Sequence, residues 1–246
     1  MLNYCKTTIV VLTNEVLNVR YRISLTILLM ISSPALFAQM MNADIDGQKT
    51  AGEQWDNRFD VERFLYGTEP VEFLKENVHR LAKGKALVLA AGEGRNAVWL
   101  AGQGYDVTAV DASPIGLEKA TALASQRGVS INTEVGDLQH GYDMGESKYD
   151  LITDFYYHDT AMIPGIMRAL KPGGMFVLQN FSLDQLETNR FGPKNPDFLV
   201  KPNELLQHLE GYRILHYEDT VVDLDEGMHQ GPGAVVRLIV KKEAVQ

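Results

Sequence analysis

Residues 86–97 constrain this chain more than any other stretch. Ala86-Leu87-Val88-Leu89-Ala90 is a short apolar run that ends in small residues, and Ala91-Gly92-Glu93-Gly94-Arg95-Asn96-Ala97 follows at once. From Arg95 to Gly104 the apolar residues recur at helical spacing, and Gly102 and Gly104 close the pattern. A strand that turns through glycine directly into a helix opens a strand–helix–strand unit. The pattern then repeats. Val107–Val110 is a second apolar run ending at Asp111, and Pro114 to Arg127 reads as a helix with proline near its start. Ile131 to Val135 is a third strand, closed by Gly136-Asp137, and 138–148 is a polar loop. Tyr149 to Phe155 is a fourth strand. Met162 to Leu170 is a helix ended by Lys171-Pro172-Gly173-Gly174, and Met175 to Leu178 is a fifth strand. Alternation of this kind predicts a parallel sheet covered on both faces.

Both flanks add to this core. Residues 53–83 carry Trp55, Phe59, Phe64, Phe73, Leu74, Val78 and Leu81 at helical spacings, broken at Tyr66-Gly67-Thr68-Glu69-Pro70 into two helices. After the fifth strand come a long loop, 181–199, and a short helix, 202–210. Two β-like runs, 212–222 and 234–241, are joined by a glycine-rich stretch and no helix, so they must pair antiparallel.

Composition sets the outer limits. Hydrophobic residues make up 45% of the 246, enough for a large core and too many for a disordered chain. The net charge of −9 leaves no basic surplus to displace counterions from phosphates, which argues against a nucleic-acid partner. The single cysteine, Cys5, excludes an internal disulfide, a cysteine zinc site and a CxxC motif. No His/Asp/Glu cluster has helical metal-ligand spacing, so no metal is expected. Residues 23–38 form a short apolar run behind Arg20 and Arg22 and end in small residues, as a secretory signal peptide does. The run is too short for a stable membrane span. Residues 1–38 therefore read as a signal peptide or a mis-started leader. The first places the protein in the periplasm or outside the cell, and a true start near Met40 places it in the cytoplasm. Residues 39–52 read as a linker, 53–242 as one domain and 243–246 as a tail.

In a parallel α/β sheet, ligands bind beyond the carboxyl ends of the strands. Gly92 and Gly94 let the backbone approach a ligand, and the helix that follows offers unpaired N–H groups. Asp111 ends the next strand, nineteen positions after Gly92, where a carboxylate can accept both hydroxyls of a ribose. Gly92-x-Gly94-x-x-Ala97 with Asp111 also satisfies the dinucleotide fingerprint, so a nicotinamide-dependent oxidoreductase is an alternative. Gly136-Asp137-Leu138 after the third strand, where an acid can meet an adenine amino group, favours S-adenosylmethionine. So do Lys171-Pro172-Gly173-Gly174 before the fifth strand and the terminal antiparallel pair.

With these blocks in order, the chain resembles the class I S-adenosylmethionine-dependent methyltransferases, within them the tellurite-resistance and thiopurine methyltransferase branch. The resemblance rests on Tyr66–Pro70, Ala90–Leu100, Tyr105–Ser113, Gly136–Leu138, Tyr149–Phe155 and Ala169–Gly174, with Phe191–Pro196 and Asp223–Val236, and spans about residues 53–242. It implies a doubly wound, Rossmann-like α/β fold. Its sheet would have seven strands, mostly parallel with an antiparallel C-terminal pair, and helices on both faces. It also implies methyl transfer to a small molecule or small inorganic oxyanion. Two positions depart from the family pattern: Val88 stands where an acid is usual, and Ala90 where the first glycine is. Carried over, Gly92, Gly94 and Asn96 shape the methionine pocket. Asp111 and Ala112 hold the ribose, Asp137 and Leu138 bracket the adenine, Asp154 and Phe155 lie beneath the methionine, and Tyr66 and Gly67 close over it. The departure at Val88, with the apparent export signal, also leaves a non-catalytic binding protein on a decayed methyltransferase fold as an alternative.

Methyl transfer is an in-line displacement that asks mainly for alignment. If the acceptor arrives protonated, Tyr157, His158 or Asp159, just past the fourth strand, can take the proton. Tyr156 and Tyr157 read as pocket walls. Arg190 and Lys194 lie in the 181–199 loop, where an oxyanion acceptor would favour cations. His229 either faces the acceptor or is a hairpin-loop histidine. The sequence is compatible with a monomer or a homodimer.

Overall fold

The computed structural model describes residues 49–188 and 191–243. The leader reading of residues 1–38 and the cation Arg190 lie outside the described residues.

The first strand, β1 (Lys85–Leu89), decides how the layers form. Successive side chains point to opposite faces of a sheet, and both faces of β1 are apolar. Leu87 and Leu89 enter one core with Ile163, Ile166 and Met167 of a helix, α5 (Ile163–Ala169), and Leu205 of another, α7 (Glu204–His208), which follows the short α6 (Gln185–Thr188). Ala86 and Val88 enter a second core on the other face. Its partners are Phe73 and Leu74 of α2 (Glu72–Asn77), Ala97 and Leu100 of α3 (Arg95–Gly102), and Leu117 of α4 (Pro114–Gln126). Phe73 and Phe176 are nearly or fully buried, each stabilising the fold by about 1.5–3 kcal/mol.

The remaining strands are β2 (Asp106–Asp111), β3 (Asn132–Val135), β4 (Tyr149–Phe155), β5 (Leu170–Phe181), β6 (Arg213–Glu226) and β7 (His229–Lys241). They form one seven-stranded sheet in the order β3-β2-β1-β4-β5-β7-β6. β1 to β5 run parallel, and β7 is antiparallel to both β5 and β6. This is the doubly wound, mostly parallel architecture with an antiparallel C-terminal pair that the sequence implies. The chain builds outward from β1 to β3, then crosses to β4, so the direction of winding switches between β1 and β4. The crevice beyond their carboxyl ends is the expected ligand site.

Several element boundaries differ from the sequence reading. The first helix, α1 (Ala51–Phe59), begins inside the stretch read as linker, because Thr50 and Glu53 form a reciprocal capping box. It also stops before Phe64. The carbonyls of Val61 and Arg63, which a longer helix would use internally, accept hydrogen bonds from the Lys119 ammonium at 2.9 and 2.7 Å. β5 absorbs Lys171-Pro172-Gly173-Gly174, because Gly173 N–H and Gly174 C=O both pair with Lys242. Finally, the glycine-rich stretch between the last two runs is strand, and only Gly227 and Met228 make the turn between β6 and β7. A Cβ on Gly233 would lie 2.6 Å from the Leu224 side chain, so that glycine admits a leucine across the ladder.

Candidate active site

The loop after β1 is shaped by backbone that few residues adopt. Ala90, Gly92 and Gly94 all have positive φ, at 45°, 53° and 87°. The three do different work. Gly94 is close packing between helices: a Cβ there would lie 2.4 Å from Ala120 of α4. Gly92 lies under the ring of Phe59, 3.3 Å from where its Cβ would be. Of the two glycines assigned to a methionine pocket, Gly94 is thus committed to holding α3 against α4. Asn96 is also partly committed, since its Oδ1 accepts the Val71 N–H at 2.9 Å and ties α2 to α3. Val88 is wholly buried among Ala97, Leu117 and Phe155.

Asp111, at the carboxyl end of β2, is held from three sides. Its Oδ2 accepts the Gly92 N–H at 2.7 Å, its Oδ1 accepts the Ser113 N–H at 2.8 Å, and the Ala112 N–H contributes a third bond. Burial nonetheless outweighs these bonds and raises its pKa. A carboxylate has about four lone-pair sites, so three N–H bonds leave capacity for a ligand hydroxyl. Ala112 sits under α1, its carbonyl 2.6 Å from where a Gly52 Cβ would be. Asp137 caps a short turn by accepting the Gln139 N–H. Leu138, in that turn, is buried and lines a cavity of about 330 Å³ with Met144, Asp159 and Met162.

Asp154, one residue before the end of β4, is almost wholly buried, and its Oδ1 has no hydrogen-bond partner. Desolvation raises its pKa well above the usual carboxylate range, with Asp159 adding repulsion and the Tyr157 N–H opposing. Phe155 beside it is packed in the core with α2 and α3.

Tyr66 and Gly67 stand at the end of an irregular strap, residues 60–67, fastened almost entirely by charged side chains. The Glu93 Oε2 accepts the Leu65 and Tyr66 N–H groups. Arg95 donates to the Tyr66 carbonyl, and Lys119 pairs with Glu93 while donating to strap carbonyls. Met228, in the β6–β7 turn, donates its N–H to the Leu65 carbonyl. Arg95 also forms an ion pair with Glu226 at 3.1 Å, both side chains less than a tenth exposed. Glu226 accepts from the Tyr156 hydroxyl, which accepts from Gln179, which in turn accepts from Arg237. This polar chain joins the glycine loop to the last two strands. Glu93, Arg95, Lys119, Gln179 and Glu226 were not singled out by the sequence. The one local signal was charge inside a glycine loop, at Glu93 and Arg95.

His229 is not a loop residue. It opens β7 and is ringed by Tyr66, Tyr156, Phe181 and Phe191 with ring centroids 4.6–5.6 Å away. Burial, and then the charges of Arg95 and Arg58, lower its pKa to about 4, so it is neutral. Tyr156 reaches this cluster because its backbone takes the left-handed conformation at φ 65°. Its ring packs on Phe181 and His229, and its hydroxyl bonds Glu226 and Gln179. His158, Asp159 and Thr160 line a different cavity, of about 210 Å³, with Leu199, Lys201 and Glu204. Tyr157 packs against the α5 core, and Lys194 is exposed.

Residues 65–240 match the family model described as tellurite resistance protein TehB. Hemagglutinin 1 of Eikenella corrodens is 28% identical over 156 residues, covering 60% of this chain and 50% of that protein. An uncharacterised methyltransferase of Synechocystis sp. is 36% identical over 101 residues, covering 38% of this chain and 45% of that protein. The chain thus spans about half the length of these curated relatives. The crystal structure of TehB from Haemophilus influenzae superposes with a TM-score of 0.56 at 17% identity, covering 79% of this chain and 68% of that one, which shows a shared fold.

Proposed function

The chain belongs to the TehB tellurite resistance protein family, and from that premise we propose that it transfers a methyl group from S-adenosylmethionine to a small molecule or small inorganic oxyanion. The observation that carries the reading is Asp154. A buried carboxyl with an unpartnered oxygen at the switch between β1 and β4 is costly unless a ligand supplies a donor or a positive charge. S-adenosylmethionine brings an ammonium, a sulfonium and a ribose, and the residues present fit it. Asp154 meets positive charge, Asp111 retains capacity for a ribose hydroxyl, and Gly92 allows close approach. Asp137 and Leu138 stand by the cavity on the adenine side, and Tyr66 and Gly67 close from the strap. The cofactor, when bound, supplies an activated methyl group; the protein supplies alignment and excludes water. Tellurite is the first oxyanion to test, followed by selenite and small thiols.

Calorimetric titration of the full chain with S-adenosylmethionine, with reduced nicotinamide as control, tests the cofactor assignment. Saturable binding of the first alone is expected. Asp154→Asn, which keeps the shape and removes the charge, is expected to weaken that binding at least about tenfold, the usual scale of a hydrogen bond to a charged group. Unchanged affinity in this variant would remove Asp154 from the site.

A further inference from the structure

The sequence offered His158 as one of three possible proton acceptors and gave no partner for it. The tertiary structure supplies one. The His158 Nε2 lies 3.4 Å from the Oε2 of Glu204, the first residue of α7, and the two side chains are 9% and 18% exposed. Glu204 is itself fixed, since the same Oε2 accepts the Lys201 N–H at 2.9 Å. Among the described residues no group bonds the other imidazole nitrogen, Nδ1. Both residues line the cavity of about 210 Å³ that also involves Thr160, Pro196 and Leu199.

The position of this cavity follows from two backbone links. Tyr157, next to His158, donates its N–H to Asp154, the carboxyl assigned to the cofactor. Leu199–Lys201 is drawn to the end of β5 by hydrogen bonds from Val200 N–H to Phe181 and from Leu183 N–H to Val200. Hence α7 and its Glu204 stand beyond the carboxyl ends of β4 and β5, on the same edge of the sheet as the glycine loop.

Building on the methyl-transfer reading above, we propose that His158 is the general base of the reaction, with Glu204 as its positioning residue, and that the acceptors it serves carry a proton on the attacking atom. The step balances without a further reactant. The acceptor X–H gives its proton to Nδ1 of His158, and the X lone pair forms the bond to the methyl carbon. The carbon–sulfur bond breaks with its electrons going to sulfur, which becomes a neutral thioether. The imidazolium left behind is stabilised by the Glu204 carboxylate and returns its proton to water. A small oxyanion already ionised at neutral pH has no use for this dyad, so the proposal favours thiols and acidic hydroxyls as acceptors.

The charged groups facing His158 make its titration a direct readout. Burial lowers its pKa, Glu204 and Asp159 raise it, and Lys201 and His208 lower it. Glu204→Gln keeps an acceptor for the Lys201 N–H but removes the charge. In ligand-free protein, the imidazole titration of His158 followed by nitrogen NMR is expected to move to lower pH in that variant. The ascending limb of the kcat–pH profile is expected to move with it.

A second arm uses two thiol acceptors at pH 7 with S-adenosylmethionine: an alkanethiol, which is protonated, and a nitrothiophenol, which is ionised. His158→Asn is expected to lower kcat/KM for the alkanethiol by about 100-fold or more, and for the nitrothiophenol by less than about threefold. Equal losses on both thiols, or an NMR titration unmoved by Glu204→Gln, would overturn the proposal. Absence of turnover by the wild type with every thiol and oxyanion would instead defeat the methyl-transfer reading on which it rests.

Discussion

At the scale of single residues, the site combines strained backbone with buried groups whose charge is suppressed. Ala90 sits in left-handed backbone at φ 45° without the freedom of glycine, which costs about 1–2 kcal/mol. His229 shows the second feature. Its ring cluster and two nearby arginines hold it neutral, with a pKa of about 4. Between that value and about 6.5, the unfolded chain binds more protons at this position than the native protein does. The contribution of His229 is therefore complete above about pH 6.5 and is lost as pH falls toward 4. The loss amounts to something on the order of 3 kcal/mol. His229→Phe keeps the ring packing and removes the titration. Urea unfolding at about pH 7 and pH 4.5 should show a smaller acid destabilisation in the variant than in the wild type. Identical pH dependence in the two would mean that His229 is not held neutral.

At the scale of elements, charged side chains hold together segments that lack regular secondary structure. The strap 60–67 offers its carbonyls and N–H groups to Lys119, Glu93 and Arg95, and the β6–β7 turn is clamped to it by Arg95–Glu226 and by Met228. The Arg95–Glu226 clamp is buried, so breaking it leaves a partner unsatisfied. Glu226→Gln strands the Arg95 guanidinium and is expected to destabilise the protein by about 3–5 kcal/mol. Replacing both residues with apolar ones of similar size, Arg95→Met with Glu226→Leu, should cost clearly less, because neither member of the pair is left buried without its counter-charge. Denaturant midpoints of the single and double variants measure this directly. A double variant no better than Glu226→Gln would show that the charges contribute more than their mutual satisfaction.

At the scale of the whole molecule, the strap and the glycine loop share residues, so the proposed cofactor site predicts that its occupancy orders the strap. Glu93 and Arg95 lie in the loop yet bond the strap, and Asp111 bonds the loop yet is assigned to the ribose. Saturation with S-adenosylmethionine at about 100 times Kd is expected to stabilise the fold by about 2.7 kcal/mol. Hydrogen exchange should slow most in residues 59–67 and 91–95. Slowing spread evenly over the sheet would mean that the strap does not sense the site.

Much of this was present in the chain before it folded. Apolar runs ending in Gly92 to Ala97, Asp111, Asp137 and Asp154 placed the strands and the residues at their carboxyl ends, because strand burial and glycine turns are local properties. Where the sequence reading went astray, the deciding partner was distant. Lys119 takes up a carbonyl just past α1, Leu224 packs over Gly233 in the last ladder, and Ala120 commits Gly94 to helix packing. The Arg95–Glu226 pair spans 131 positions and the His158–Glu204 pair joins separate elements, so neither leaves a trace in local spacing. The sequence by itself determined the layered α/β sheet and the list of residues along its carboxyl edge, since periodicity and turn chemistry act over a few residues. Only the tertiary structure decided which of those residues are neutral, which are clamped and which have partners, because desolvation and pairing depend on what folding brings beside them.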